Sequence, residues 1–280
     1  MSGTLYLVAT PIGNLGDLSP RAADTLARAD FIAAEDTRVT RKLLSHLGLK
    51  KPVVSYHEHN KAAAGPAVLS RLLSGETCAL VTDAGTPAVS DPGEDLVRLC
   101  AEQGVTVQSI PGCCALISAL AVSGLPTGRF VFEGFLPVNR GERRERLQAL
   151  AGEERTILLY EAPHRLRGTL EDLYAAFGDR PAALCRELTK LHEETLRMTL
   201  AQAAAYYQDS EPRGEYVLVV SGAAPVEEGA VSLERGVELV LERRARGERM
   251  KDAVRQVAAD TGLARNELYD AALRTAQNEG

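Results

Sequence analysis

"CALVTDAGTPAVSDPG", residues 78–93, sets four apolar residues directly before a stretch with two glycines, two prolines and two aspartates. Four consecutive apolar residues bounded by turn-formers read as a strand buried on both faces. The twelve residues that follow have little side chain to bury. Their worth therefore lies in backbone N–H and C=O groups that a bulkier loop would shield. Outward from this stretch the same rhythm recurs. Apolar runs at 5–8, 31–33, 53–56 and 105–110 alternate with helical spacing over 20–28, 39–47, 62–73 and 94–102. That alternation predicts a mostly parallel sheet covered on both faces.

After Pro111-Gly112 the rhythm changes. An apolar helix is expected over 115–122, then strands at 130–135, 156–160, 183–186, 194–199 and 215–220. Only three helical stretches (142–150, 164–176 and 200–208) separate them, so at least one neighbouring pair should be antiparallel. Residues 223–230 are small and acidic and read as a linker. Beyond them the chain is helical and charged, with "RRARGER" at 243–249. Within 250–276, Ala258, Gly262 and Leu268 fall at the small, turn and buried positions of a helix-turn-helix. A plain helical hairpin fits the same spacing. The expected fold is α/β: a parallel-sheet domain over 1–114, a mixed-sheet domain over 115–225 and a helical extension over 226–280.

The 280 residues, 45% hydrophobic, suffice for two ordinary cores. A formal net charge of −6 argues against coating nucleic acid by bulk charge, but leaves room for a local basic face. Five cysteines at irregular spacing suit reduced intracellular thiols. No apolar stretch approaches the roughly 20 residues of a membrane span, and no signal-peptide pattern opens the chain. A soluble cytoplasmic protein is expected.

Ligand sites in open α/β sheets lie beyond the carboxyl ends of the strands. Four unusual loops fall there: "ATPIGNLGD" (9–17), "AEDTR" (34–38), "TDAGTPAVSDPG" (82–93) and "PGCCA" (111–115). G-x-x-x-x-G-K-[ST] is absent, and no G-x-G-x-x-G follows the first strand, which disfavours a phosphate cradle. The loops carry little positive charge and suit a neutral, zwitterionic or partly cationic ligand. No G-x-S-x-G elbow appears. "HEH" (57–59) lacks a third metal ligand, and no metal is expected.

These loops resemble the tetrapyrrole-methylase superfamily of S-adenosylmethionine-dependent methyltransferases. Within it they are similar to the branch that methylates the ribose 2′-hydroxyl of a cytidine in small-subunit (16S) ribosomal RNA. The resemblance rests on "VATPIGNLGDLSPRA" (8–22), "AAEDTRVTRKLL" (33–44), "VTDAGTPAVSDPGEDLV" (81–97), "SIPGCCA" (109–115), "FEGFLP" (132–137), "LYEAPHRL" (159–166), "CRELTKLHEE" (185–194) and "GEYVLVV" (214–220), in that order. It implies a cofactor cleft between two α/β domains, a homodimer, and S-adenosylmethionine as cofactor. By position it implies cofactor contacts at Pro11 in the first loop and at Val81, Thr82, Asp83, Ala84, Gly85 and Thr86 in the second. Cys114 and Ala115 match a third contact, and Glu161 and Leu188 match the second domain's share. Many relatives have G-x-G-P-G where this chain has "ATPIG", and Ser or Thr where it has Cys113-Cys114.

Methyl transfer to a ribose hydroxyl needs in-line placement and a group that takes the proton. The candidates are Glu35 and Asp36 in "AEDTR", and Glu187 and Lys190 in "RELTK". Arg38 or Lys190 is a candidate to hold the neighbouring phosphate. Salt bridges between loops explain the same residues. Arg140, Arg143, Arg144 and Arg146 in "NRGERRER" form either a phosphate clamp or a solvated helix start, and Arg249, Lys251 and Arg265 are the candidates near the C-terminus. The partner implied is ribosomal RNA, free or within the 30S subunit. The rival readings are a corrin-precursor C-methyltransferase and a non-enzymatic helix-turn-helix regulator. Binding of S-adenosylmethionine separates the second rival, and methylation of 30S particles the first.

Overall fold

Five strands, β1 (Thr4–Val8), β2 (Phe31–Ala34), β3 (Val53–Ser55), β4 (Cys78–Val81) and β5 (Thr106–Ile110), pair in parallel in the order β3-β2-β4-β1-β5. The structure is a computed structural model and describes residues 2–224 and 232–278. Helices α1 (Pro20–Arg28), α2 (Thr37–His46), α3 (Lys61–Leu73) and α4 (Gly93–Glu102) cover both faces of this sheet. Strands β2 and β4 are buried at every residue, as expected of runs apolar throughout. Their side chains alternate between two cores. Phe31 and Ala33 pack with Leu72 and Leu96 from α3 and α4, while Ile32 and Ala34 pack with Leu26 and Leu43 from α1 and α2.

The connection after β1 leads one way along the sheet, to β2, and the connection after β4 leads the other way, to β5. Neighbouring strands whose connections diverge leave a crevice beyond their carboxyl ends. The loops at 9–17 and 82–93 open beside it.

Helix α5 (Ala115–Ser123) leads into a second sheet with strands β6 (Phe130–Phe135), β7 (Thr156–Glu161), β8 (Pro181–Arg186), β9 (Glu194–Thr199) and β10 (Tyr216–Val220). Its order is β6-β7-β10-β8-β9, with β6 and β7 parallel and the other three pairs antiparallel. One face packs on α6 (Arg140–Leu150), α7 (Pro163–Phe177) and α8 (Leu200–Asp209) through Leu147, Leu170, Ile157 and Leu218. The other packs on α5 through Leu116, Leu120, Leu158 and Val217. In β6 the register slips by one residue between Phe132 and Phe135, a bulge at Glu133-Gly134, where Gly134 has φ +61°. The expected strands and helices of both sheets lie within two residues of the observed ends.

Residues up to Ala223 form one unit and the rest another. The second unit holds α9 (Leu233–Ala245), α10 (Met250–Thr261) and α11 (Arg265–Asn278) around Val240, Val254, Val257 and Leu268. Gly262 ends α10 at φ +72°, the left-handed stop that a glycine supplies without a Cβ clash. Most of the expected linker, 225–230, lies outside the described residues. Among the described residues no helix is long and apolar enough to cross a membrane.

Candidate active site

The loop after β4 is bound to its neighbours through backbone. Thr10 and Gly85 exchange both N–H···O bonds, at 2.9 and 3.0 Å, and so join the loops after β1 and β4. The Thr86 hydroxyl donates to the Cys113 carbonyl at 2.9 Å, tying in the loop after β5. Gly85 sits at φ +85°, and a Cβ there would lie 3.3 Å from Ile12 Cγ2. A side chain at 85 would press on the first loop while forcing an unfavourable backbone. Asp91 closes the far end. Both its oxygens accept from Ala88 N at 2.9 Å and one accepts from Gly93 N at 2.7 Å, which fixes Ala88 and Ser90 at φ +64° and +63°. Burial raises the Asp91 pKa against the pull of those N–H groups.

The 34–38 loop joins this frame through two carboxylates. Asp83 accepts from Asp36 N at 3.0 Å, and desolvation raises its pKa. Glu35 accepts from the Thr82 hydroxyl at 2.7 Å. Asp36 points elsewhere: it caps α2 by accepting from Arg38 N at 2.7 Å and pairs with the Arg38 guanidinium at 2.6 Å. The Arg38 side chain, then its backbone N–H, holds the Asp36 carboxyl at about 2.

The second sheet supplies the opposite wall. Glu161, at the end of β7, is buried; it accepts from Ala162 N at 2.8 Å and from the Thr169 hydroxyl, and pairs with Arg165 at 3.4 Å. Glu187 and Thr189 take φ +51° and +67°, turning the chain sharply after β8. The Lys190 ammonium donates to Glu187 at 2.9 Å and to Glu215 at 3.2 Å. Burial works against that ammonium, but the bonds it donates to Glu187 and Glu215 outweigh this and raise its pKa. The same bond to Lys190 lowers the Glu187 pKa. A Cβ on Gly13 would overlap the Lys190 stem, so this glycine lets the first loop and the 187–190 loop meet.

Between the walls lies a cavity of about 450 Å³. Thr82, Ala84, Gly85 and Thr86 line it from the second loop, with Glu35 beside them. Cys114 and Ala115 line it at the start of α5; Glu161, Glu187, Leu188 and Lys190 line it from the second sheet. Asp36, Arg38, Pro11, Val81 and Asp83 stand outside the lining, with Val81 buried in the core behind it and Asp83 bracing the loop. Sequence reasoning did not single out Ile12, Asp91, Phe135, Tyr160, Tyr216 or Val217, which also line the cavity. Phe135 and Tyr216 stand at strand ends and Tyr160 one residue from another, where apolar patterning marks the strand but not the cavity.

The arginines of 140–146 divide. Arg143 is largely buried, donating to Asp172 at 2.6 Å and to Thr169 at 2.9 Å, and Arg146 donates to Glu133 at 2.6 Å. Arg143 thus ties α6 to α7, and Arg146 ties it to β6. Arg140 and Arg144 are exposed and have no ion pair among the described residues, and the same holds for Arg249, Lys251 and Arg265. His57 and His59 lie edge to face at 6.0 Å, and no metal-binding group of three His, Cys, Asp or Glu side chains forms among the described residues.

Residues 4–204 match the family described as Tetrapyrrole (Corrin/Porphyrin) Methylases, and 233–276 match the RsmI C-terminal HTH domain. The chain is 50% identical over 272 residues to "Ribosomal RNA small subunit methyltransferase I" of Synechocystis sp., covering 97% of this chain and 98% of the relative. It is 47% identical over 272 residues to the protein of the same name from Halalkalibacterium halodurans, covering 96% and 94%. Among solved structures it is similar in fold to uroporphyrin-III C-methyltransferase of Thermus thermophilus complexed with S-adenyl homocysteine. That likeness has a TM-score of 0.56 at 20% identity and covers 78% of this chain and 97% of the other.

Proposed function

We propose that this chain, which belongs to the tetrapyrrole (corrin/porphyrin) methylase family, is an S-adenosylmethionine-dependent methyltransferase that 2′-O-methylates a cytidine ribose in 16S RNA of the small ribosomal subunit. The observation that carries the reading is the cavity itself, walled by the backbone of three stitched loops in a chain that matches such enzymes end to end. Its lining suits the cofactor. Glu35, Asp91, Glu161, Glu187 and Glu215 line it against one lysine, a surplus of carboxylates that favours a ligand bearing a sulfonium and an ammonium group. Gly85, Ala84 and Ala115 leave room for close approach.

When bound, S-adenosylmethionine supplies an electrophilic methyl group. In this reading Thr82, Ala84, Gly85, Thr86, Cys114, Ala115, Glu161 and Leu188 hold it, while Pro11, Val81 and Asp83 stand outside that lining and Asp83 braces the loop. Holding donor and hydroxyl in line supplies much of the acceleration. Of the four candidates for the acceptor's chemistry, Glu35 suits the proton acceptor best. It faces the cavity and shares one oxygen with a neutral hydroxyl. Asp36 is pinned by Arg38, and Glu187 is paired to Lys190. Lys190, kept charged by two carboxylates, suits the phosphate beside the attacked ribose. Arg38, Arg140, Arg144, Arg249, Lys251 and Arg265 offer further phosphate contacts, and Arg143 and Arg146 support that surface from beneath. We further propose domains at 1–114, 115–225 and 226–280, a homodimer, and a cytoplasmic location beside the ribosomal substrate.

The test is methyl transfer from labelled S-adenosylmethionine to small subunits and to naked 16S RNA, both from cells lacking this protein. The expected product is a single labelled 2′-O-methylcytidine. Label on a tetrapyrrole precursor, or no label on RNA from either source, overturns the reading.

A further inference from the structure

Strand β6 begins with regular alternation. Val131 packs with the core beneath α6 and α7, and Phe132 packs with the opposite face beside Leu158. Continued alternation would send Phe135 into the first core and Leu136 out of it. The bulge at Glu133-Gly134 reverses both. Phe135 pairs with Tyr160 on the cleft face, and Leu136 drops into the core at 2% exposure. Gly134 makes the reversal possible with its φ of +61°, where a Cβ would lie 2.8 Å from the Ser90 hydroxyl.

The result is a large apolar ring left 53% exposed on the wall of the cavity. It is held, not loose. Tyr160 lies 5.7 Å away at 55°, and Tyr160 in turn meets Phe132 edge to face at 4.9 Å. The next residue is anchored by its burial and by Arg165, which donates to the Leu136 carbonyl at 2.5 Å. Five residues on, α6 begins with Arg140 and soon presents Arg144, both exposed. A bulge that re-aims one side chain is a recurrent device beside functional sites. A rigid exposed aromatic face followed by exposed cations with no ion pair among the described residues has the chemistry that holds an unstacked nucleotide: π-surface for the base, charge for its phosphate.

We propose that Phe135 is the stacking platform for the base of the nucleotide that receives the methyl group, or of its immediate neighbour, in an unpaired stretch of RNA. This rests on the RNA-methyltransferase reading above. The ring grips the base and so positions the ribose at the cavity without touching the reacting atoms.

The test compares Phe135→Ala, Phe135→Leu and Phe135→Tyr with the wild type in the full-length protein. Methylation kinetics on small subunits and S-adenosylmethionine affinity by calorimetry are read side by side. Stacking predicts that Phe135→Ala lowers kcat/KM for RNA by about 5- to 150-fold, the range base–aromatic stacking contributes. Cofactor affinity should stay within about twofold of wild type, which also shows that the fold is intact. Phe135→Tyr should restore kcat/KM, and Phe135→Leu should not. Equal rescue by leucine overturns stacking in favour of plain apolar packing. A parallel fall in cofactor affinity overturns it in favour of a cofactor wall, and an unaffected Phe135→Ala enzyme overturns it outright. If the wild type itself transfers no methyl to RNA, the parent reading falls and takes this one with it, an outcome distinct from the other three.

Discussion

Glu35 and Asp36 are adjacent carboxylates set to different tasks by their partners. Asp36 is locked by Arg38 with its pKa depressed from 3.8 to about 2. A depressed carboxylate pKa adds stability above the unfolded value and loses it as pH falls through the folded one. Replacing Asp36 by Asn keeps an effective helix cap but removes the ion pair. The melting-temperature gap between wild type and Asp36→Asn should therefore be full above about pH 4 and close towards pH 2, as thermal unfolding across that range will show. Glu35 faces the cavity. Glu35→Gln should cut the methyl-transfer rate by about 10²–10⁴-fold, the usual share of a general base, with cofactor affinity little changed. A loss confined to cofactor affinity in calorimetry would return Glu35 to a loop-bracing role through Thr82. Arg143 shows where residue-level reading ends. In sequence it is one arginine of a basic run; its partners Asp172 and Thr169 lie 29 and 26 residues away, beyond any local pattern.

Among elements, the strands and helices of both sheets were legible because the strands are short apolar runs, continuous or alternating, and the helices carry apolar residues at 3.6 spacing. The β6 bulge was not. "FVFEGF" is apolar on both faces over 130–132, so its pattern fits either register, and only the pairing with β7 shows the slip. Likewise Tyr160 and Tyr216 were legible only as strand residues and prove to be cavity wall, because a strand near its end is half core and half rim. The loops invite a comparison of two left-handed glycines. Gly48 has φ +68° with nothing within 4 Å of an added Cβ, while Gly85 has φ +85° with Ile12 at 3.3 Å. Gly48→Ala should cost about 1–2 kcal/mol of stability, the left-handed penalty alone, and leave S-adenosylmethionine binding intact. Gly85→Ala should cost at least as much and also weaken binding. Urea unfolding and calorimetry on the pair separate backbone strain from damage to the site.

At the scale of the whole molecule, the four cores up to residue 220 share no residue with the core around Val240 and Leu268. A chain ending at Ala223 should therefore stay folded and bind S-adenosylmethionine with full-length affinity. Its RNA affinity should fall as Arg249, Lys251 and Arg265 are removed. The salt dependence should flatten by about 0.7–0.9 in log–log slope for each phosphate those cations no longer neutralise. Intact RNA binding with an unchanged slope at two salt concentrations would show that the C-terminal helices do not grip RNA. The strand order also sets a clock on synthesis. β1 lies between β4 and β5, so Leu5-Tyr6-Leu7-Val8 leaves the ribosome some seventy residues before β4, the first partner it can pair with, has been made. At about 5–20 residues per second, that apolar strand waits about 4–14 s with both edges open. During that interval the nascent strand is a natural client for whatever chaperone stands at the exit tunnel.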